Sequence, residues 1–185
     1  MRTDLVRLVA ALPSTDALGE QHRARALEWL RGTDDVYRRE RPRTPDPHLV
    51  AYVLVVDRPR RSVLLADHRL AGLWLPTGGH VEPDEDPAST AVRELREELG
   101  VDLPPDPATG GAPWFLTVTT TTGDAASRHD DISLWYAFAA DRGTPFLPDE
   151  REFRAVRWWT LAELGEADPA AFEPHLARAV AALGL

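Results

Sequence analysis

Apolar positions recur at helical spacing near the start of the chain. Leu5, Leu8, Val9 and Leu12, followed by Leu18, Ala26, Leu27 and Leu30, place two amphipathic segments within residues 3–45. Between them stand Ser14, Thr15 and Asp16, whose side-chain oxygens can accept from the first free amides of a helix. The stretch closes on RRERPRTPDP, where three prolines and dense charge predict a linker. From residue 48 the period changes. LVAYVLVVD and SVLLADH are apolar and rich in β-branched side chains, and the RPRR between them predicts a hairpin. WFLTVTTTT and DISLWYAFAA predict a second strand pair, with TGDAASRHD as its loop.

One strong helix interrupts the strands at about residues 87–99. Asp86 is its cap, Pro87 sits in the first turn where a missing N–H costs nothing, and Gly100 ends it. At roughly 100° per residue, Ala88, Ala91, Val92, Leu95 and Leu99 form one stripe that should face the core. Near the end, Thr160 and Glu163 have capping-box spacing, and Asp168–Pro169 should open a last helix carrying Phe172, Leu176, Val180 and Leu183 on one side. No internal repeat is visible. The pattern predicts an α/β (α+β) chain in two parts: residues 1–45 as a helical extension with its linker, and residues 46–185 as one domain.

Composition narrows the function. With 185 residues, 43% hydrophobic and 28% charged, the chain can bury a real core. It has no cysteine, which excludes a disulfide framework and a thiolate metal site. The opening MRTDLVRLVAALP is a poor signal peptide, interrupted by Asp4 and Arg7, and no stretch approaches the roughly 20 apolar residues of a membrane span. A cytoplasmic protein that binds no membrane is expected. The net charge of −9 argues against coating nucleic acid. An acidic protein can still hold a phosphorylated ligand if cations lie between the like charges.

The same helix bears chemistry. Glu94, Glu97 and Glu98 fall within about 100° of one another, beside the apolar stripe. Like charges at this spacing repel by about 0.2–0.5 kcal/mol per pair on an isolated helix. A hard dication relieves that repulsion, since Mg²⁺ takes oxygen ligands and keeps several waters for a substrate's phosphates to replace. A run such as ELREE is by itself most often an ordinary solvated helix face. Its surroundings are not ordinary: Gly79, Glu85, Arg93, Glu94, Leu95, Glu97, Glu98, Gly100 and Val101 reproduce in full the spacing Gly, five residues, Glu, seven residues, Arg-Glu-aliphatic, any, Glu-Glu, any, Gly-aliphatic. On these residues the chain resembles the Nudix hydrolase superfamily.

The resemblance implies a mixed sheet sandwiched between helices, and a hydrolase that cleaves phosphoanhydride bonds with Mg²⁺ or Mn²⁺. It implies Glu94, Glu97, Glu98 and the backbone carbonyl of Gly78 as metal ligands. Arg93 would hold a box acid in place, with Glu85 as its partner; a surface pair with Glu97 is the plainer alternative. Glu97 or Glu98 would be the general base. Glu152, in PDEREFRAVRWW, is a further candidate, in competition with Asp149 and Glu150 and with a merely solvated loop. On the substrate side, Arg128, Asp131 and Trp135 resemble a strand that carries base contacts in some relatives, and His80 is placed to reach a phosphate. Trp135 would otherwise be a packed sheet residue and His80 an exposed strand histidine.

The expected substrate is a nucleoside diphosphate-linked small molecule, foremost a (deoxy)nucleoside triphosphate hydrolysed to monophosphate and pyrophosphate. An ADP-ribose or nucleotide-sugar diphosphatase is the alternative, and a nucleotide-binding regulatory module the alternative from another class. The absence of cysteine excludes relatives of the isopentenyl diphosphate isomerases, and no SQPWPFPxS-like run of the NADH diphosphatases follows the box. The marker proline of many ADP-ribose hydrolases is replaced by Leu116, with Pro113 displaced from it. RRERPR is read as a solvated linker rather than a phosphate grip. The helical N-terminus either packs on its own domain or exchanges with a neighbour in a homodimer.

Overall fold

A strand buried on both faces reads as a near-continuous apolar run and belongs at the centre of a sheet. β1 (His48–Asp57) is such a strand, with nine of its ten residues buried. In the computed structural model, which describes residues 2–41, 43–121 and 126–185 (the side chain of Arg2 excepted), β1 organises a seven-stranded mixed sheet. It pairs in parallel with β6 (Asp130–Ala139), from His48 opposite Asp131 to Val56 opposite Ala139. Its other edge is shared by two antiparallel partners. β2 (Ser62–His68) takes the C-terminal end, at Val55–Asp57. β4 (Thr77–His80) takes the N-terminal end, with Val50 opposite His80 and Tyr52 opposite Gly78. β5 (Phe115–Thr120) flanks β6, while β3 (Trp74–Leu75) and β7 (Phe153–Thr160) pair with β2.

The period of two then sorts the core into two layers. Leu49, Ala51, Val53 and Val55 face one way, into a cluster with Leu95 and Leu99 of α3 (Pro87–Leu99) and with Leu5, Val9, Ala26 and Leu30. The last four come from α1 (Arg2–Ala11) and α2 (Ala17–Gly32), so the helical extension shares the core of the domain that follows it. Leu54 and Val56 face the other way, against Trp135, Trp159, Phe172 and α5 (Leu176–Leu183). The result is the α/β/α arrangement with a mixed sheet that the box implied. No helix among the described residues is long and apolar enough to cross a membrane. Of the loop expected between β5 and β6, residues 122–125 lie outside the described residues.

The C-terminal segment departs from the expected single helix. Thr160 and Glu163 do form a capping box, opening the short α4 (Leu161–Glu166). Asp168–Pro169 starts only one 3₁₀ turn, Pro169–Ala171. Pro174 has no N–H and disfavours helical geometry at the residue before it. Glu173 instead donates its amide to the Trp74 carbonyl, and α5 begins at Leu176. The four apolar residues expected on one side still share one cluster, because the break leaves their direction toward the sheet intact.

Glu173 is a buried acid in that break. Burial pushes its carboxyl up to about 7, against the opposing pull of the His175 amide and Arg178. A carboxyl raised in the folded state contributes stability that is complete below its unfolded value and is lost as pH rises through the folded one. Glu173→Gln is therefore expected to be more stable than wild type at pH 8, by on the order of 1–3 kcal/mol. The difference should close near pH 4.5. Thermal melts across that range check it, and a constant difference would refute the assignment.

Candidate active site

α3 begins where local chemistry places it. Asp86 accepts from the amides of Ala88 and Ser89, Pro87 fills the first turn, and Gly100 closes the helix in the left-handed conformation at φ 66°. The far end is anchored from outside. The amides of Leu147 and Asp149 donate to the carbonyls of Leu99 and Glu98, which have no partner within the helix. This contact brings the segment before β7 up against the acidic edge of α3.

Glu94 and Glu98 are both only 7% exposed, whereas the Glu97 side chain is 59% exposed. β4 crosses beside them and contributes two glycines. The Gly78 amide donates to Glu98 Oε2 at 2.7 Å. At Gly79 a Cβ would stand 2.2 Å from Glu94 Oε1, so the missing side chain is what makes room for that carboxylate. Arg93 spans the cluster. It forms a two-pronged pair with Glu85 at 3.0 Å for each bond, and its other amino group reaches Glu94 at 2.7 Å and Glu97 at 3.0 Å. Both sequence readings of Arg93 are thus present at once. Its remaining contact, to the His80 carbonyl at 3.2 Å, ties α3 to the end of β4.

Electrostatics show an excess of negative charge that one arginine does not cancel. Burial raises the Glu94 carboxyl, opposed by Arg93 and reinforced by Glu97 and Glu152. Burial pushes Glu98 up to about 9, opposed by the Gly78 amide and reinforced by Glu94 and by a hydrogen bond with Glu152. Two carboxyl groups share a hydrogen bond only if one keeps its proton, so the cluster retains a proton in the absence of another cation. The Arg93 guanidinium in turn holds Glu85 below the usual carboxylate range.

Of the three competing acids before β7, only Glu152 joins the cluster through its side chain. Asp149 is paired with Arg151 at 2.5 Å, and Glu150 contributes its carbonyl to Arg69. Arg69 holds this turn in place through the carbonyls of Glu150 and Phe153, while its own amide donates to the Glu152 carbonyl.

The substrate-side candidates fare differently. Trp135 has no exposed surface, and its indole N–H donates to Thr117 Oγ1 at 3.0 Å between the sheet and the C-terminal layer. His80 and Asp131 are brought together, but with His48 and His129 on the sheet face away from α3. The Arg128 carbonyl accepts from the Arg43 guanidinium at 3.5 Å. The sequence reading missed Arg38. This first residue of the RRERPR run is half-buried, and its guanidinium feels both Asp131 and Glu94, yet forms no ion pair with a described residue. Burial and the neighbouring Arg41 lower its affinity for its proton. No periodicity marks Arg38; it is placed by Val36, which is buried and accepts the Leu49 amide at 2.9 Å.

The donor set fits a hard divalent cation: oxygens only, with two carboxylates buried beside a vacated Cβ position. A surface hollow of about 380 Å³ lies elsewhere, lined by Asp57, Arg60, Pro104 and Asp141 at the far end of β1, and contains none of these groups.

Known proteins are similar to this chain in sequence and in fold. The chain is 48% identical over 50 residues to the CTP pyrophosphohydrolase of Escherichia coli (strain K12), a match covering 27% of this chain and 33% of that one. It is 25% identical over 126 residues to the NAD-capped RNA hydrolase NudC of Vibrio atlanticus, covering 66% of this chain and 42% of that one. The match thus spans less than half the length of either curated relative. Among solved structures, a MutT NUDIX hydrolase from Burkholderia pseudomallei superposes with a TM-score of 0.53 at 25% identity, covering 72% of this chain and 95% of that one. The E. coli dihydroneopterin triphosphate pyrophosphohydrolase shares the fold at a TM-score of 0.55 and 17% identity, covering 71% and 91%. The NUDIX domain model matches residues 46–183, the sheet with its carboxylate helix, and the chain belongs to that family.

Proposed function

We propose that this protein is a metal-dependent hydrolase that cleaves a diphosphate linkage in a nucleotide, foremost a nucleoside triphosphate to monophosphate and pyrophosphate. The observation that carries this is the buried pair Glu94 and Glu98, with Glu97 and Glu152 beside it, crowded beyond what Arg93 neutralises. Such crowding is costly unless a dication resides there. In this reading Glu94, Glu97, Glu98 and the Gly78 carbonyl hold Mg²⁺ or Mn²⁺. A bound ion would supply positive charge for the phosphoryl oxygens and make a water easier to deprotonate. The chain's own residues do the rest. Arg93, locked by Glu85, keeps Glu94 and Glu97 in register. The Glu98–Glu152 pair handles the proton of the attacking water. Arg38, a half-buried cation with no ion-pair partner among the described residues, contacts the substrate's phosphates.

The named activity of the E. coli relative on CTP supports a triphosphate substrate. The segment after the box lacks both the NADH diphosphatase run and the ADP-ribose proline, which favours the triphosphate over a dinucleotide or nucleotide sugar.

Incubating the protein with a panel of nucleoside triphosphates, ADP-ribose, NADH and nucleotide sugars, and reading products by mass, tests this. Mg²⁺ or Mn²⁺ should support release of a monophosphate and pyrophosphate from at least one triphosphate, and EDTA should abolish it. Turnover that persists in EDTA would remove the metal from the proposal. Activity confined to ADP-ribose or nucleotide sugars would replace the substrate class.

A further inference from the structure

The sheet face away from α3 carries a second convergence, which the box carboxylates do not use. His48 and Asp131 are register partners on β1 and β6, His80 stands opposite Val50 on β4, and His129 immediately precedes β6. One ring nitrogen or carboxylate oxygen from each of these four residues lies within 4.8 Å of all the others. The ring of His48 lies 4.8 Å, centroid to centroid, from that of His80 and 4.7 Å from that of His129.

Hydrogen bonding makes this grouping one of lone pairs. His48 Nδ1 is 2.7 Å from the Pro45 carbonyl, and His129 Nδ1 is 2.8 Å from the Ser127 carbonyl. A carbonyl only accepts, so Nδ1 carries the hydrogen in both rings, and Nε2 of each neutral imidazole is a bare acceptor. Both Nε2 atoms lie 3.2 Å from Asp131 Oδ1, which is also an acceptor. The competing occupant is a proton on His129, whose ring the Asp131 carboxylate holds above the ordinary imidazole value, and a metal ion binds in place of that proton. Eight buried side-chain polar atoms of the described residues lack a hydrogen-bond partner, and five belong to this patch: Nε2 of His48 and of His80, Asp131 Oδ1, Thr119 Oγ1 and Ser133 Oγ. Native interiors seldom leave such atoms orphaned; two of the five, His48 Nε2 and Asp131 Oδ1, face each other at 3.2 Å, so one cation between them would satisfy both.

We propose that His48, His80, His129 and Asp131 form a site for a four-coordinate transition-metal ion of the zinc class, separate from the carboxylates of α3. Three imidazoles and one carboxylate are a donor set for Zn²⁺ rather than Mg²⁺. At bond lengths of about 2.0–2.2 Å, tetrahedral ligand atoms stand about 3.4 Å apart. The two His–Asp separations of 3.2 Å already match, and closing the other pairs from at most 4.8 Å takes small side-chain shifts. The Nδ1 contacts to Pro45 and Ser127 are the outer hydrogen bonds that orient ligating imidazoles. The ion clips β1, β4 and β6 together and, through Pro45, secures the linker from α2. His80 and Asp131 thus serve this ion rather than contacting the substrate.

The test uses metal alone. Protein stripped with chelator is titrated with Co²⁺ under excess Mg²⁺, and metal content is counted per chain. Wild type should take up one Co²⁺ with the intense visible absorption of four-coordinate nitrogen-rich cobalt, and one Zn²⁺ should bleach it. The double variant Glu97→Gln/Glu98→Gln should keep this spectrum, which separates the site from the box. His129→Gln and Asp131→Asn, checked for folding by circular dichroism, should each weaken uptake by about 100-fold or more, since even outer contacts are worth 10–100-fold. Three results would overturn the proposal: no four-coordinate spectrum in wild type, its loss in the box variant, or unchanged affinity in folded His129→Gln and Asp131→Asn. The wild-type and box-variant arms decide even if neither ligand variant folds.

Discussion

Glu98→Gln is expected to lower Mg²⁺-supported turnover by about two orders of magnitude or more, the scale of a lost general base, while making the chelated protein more stable at alkaline pH. The two effects share a cause. Wild-type Glu98 is buried beside Glu94 and Glu152, and its carboxyl is pushed up to about 9. A group raised in the folded state contributes stability that is complete below its unfolded value and drains away as pH rises through the folded one. Metal-free wild type should therefore weaken from about pH 4.5 toward pH 9, and the amide variant should not. Added Mg²⁺ should raise the wild-type melting temperature more at pH 9 than at pH 6, because binding requires the deprotonated acid. Glu97→Gln makes the informative contrast. Its side chain is 59% exposed, so it should lose activity on the same scale without gaining stability. Normal turnover in both variants would remove the carboxylates from the chemistry, whatever the melts show.

Gly78→Ala and Gly79→Ala should fail in different ways although they are adjacent. At Gly78, φ is 140° and a Cβ would stand 2.2 Å from the Ala51 carbonyl oxygen and 2.9 Å from Tyr52 Cα. Both obstacles are backbone of the central strand, which has nowhere to move. Forbidden conformation and clash together should cost about 3 kcal/mol or more, read as a lower melting temperature or loss of soluble protein. At Gly79 the obstacle is the end of the Glu94 side chain, which can swing aside. That variant should fold, with a melting temperature near wild type, but with Glu94 displaced from its place beside Arg93. A misplacement on the order of 1 Å in a positioned group costs about 100-fold in rate. Equal stability and equal activity in Gly79→Ala would mean that Glu94 has no fixed role.

Much of the site was legible because it is local. α3 begins and ends where Asp86, Pro87 and Gly100 required, since capping and backbone preference act within a few residues. The acidic edge followed from helical spacing, and the buried stripe of Ala91, Leu95 and Leu99 from the same count. The two long strand pairs were equally plain, as each carries its own apolar run. Where a proline intervened the local reading erred: Pro174 split the last helix, although its apolar direction was preserved.

What only the tertiary structure decided depends on register between distant segments. Glu152 reaches the box because the turn before β7 donates amides to the end of α3, and Arg69 grips that turn from the end of β2. Arg38 is drawn from an apparently solvated run to within reach of both Asp131 and Glu94 because Val36 is buried and hydrogen-bonded to β1. The grouping of His48, His80, His129 and Asp131 has no sequence period at all. It exists because β1 and β6 align in parallel with His48 opposite Asp131, and a slip of one residue would turn each side chain to the other face. Helix caps and periodicity are written within a few neighbouring residues. The meeting of side chains from separate strands is set only when the packed sheet chooses a register.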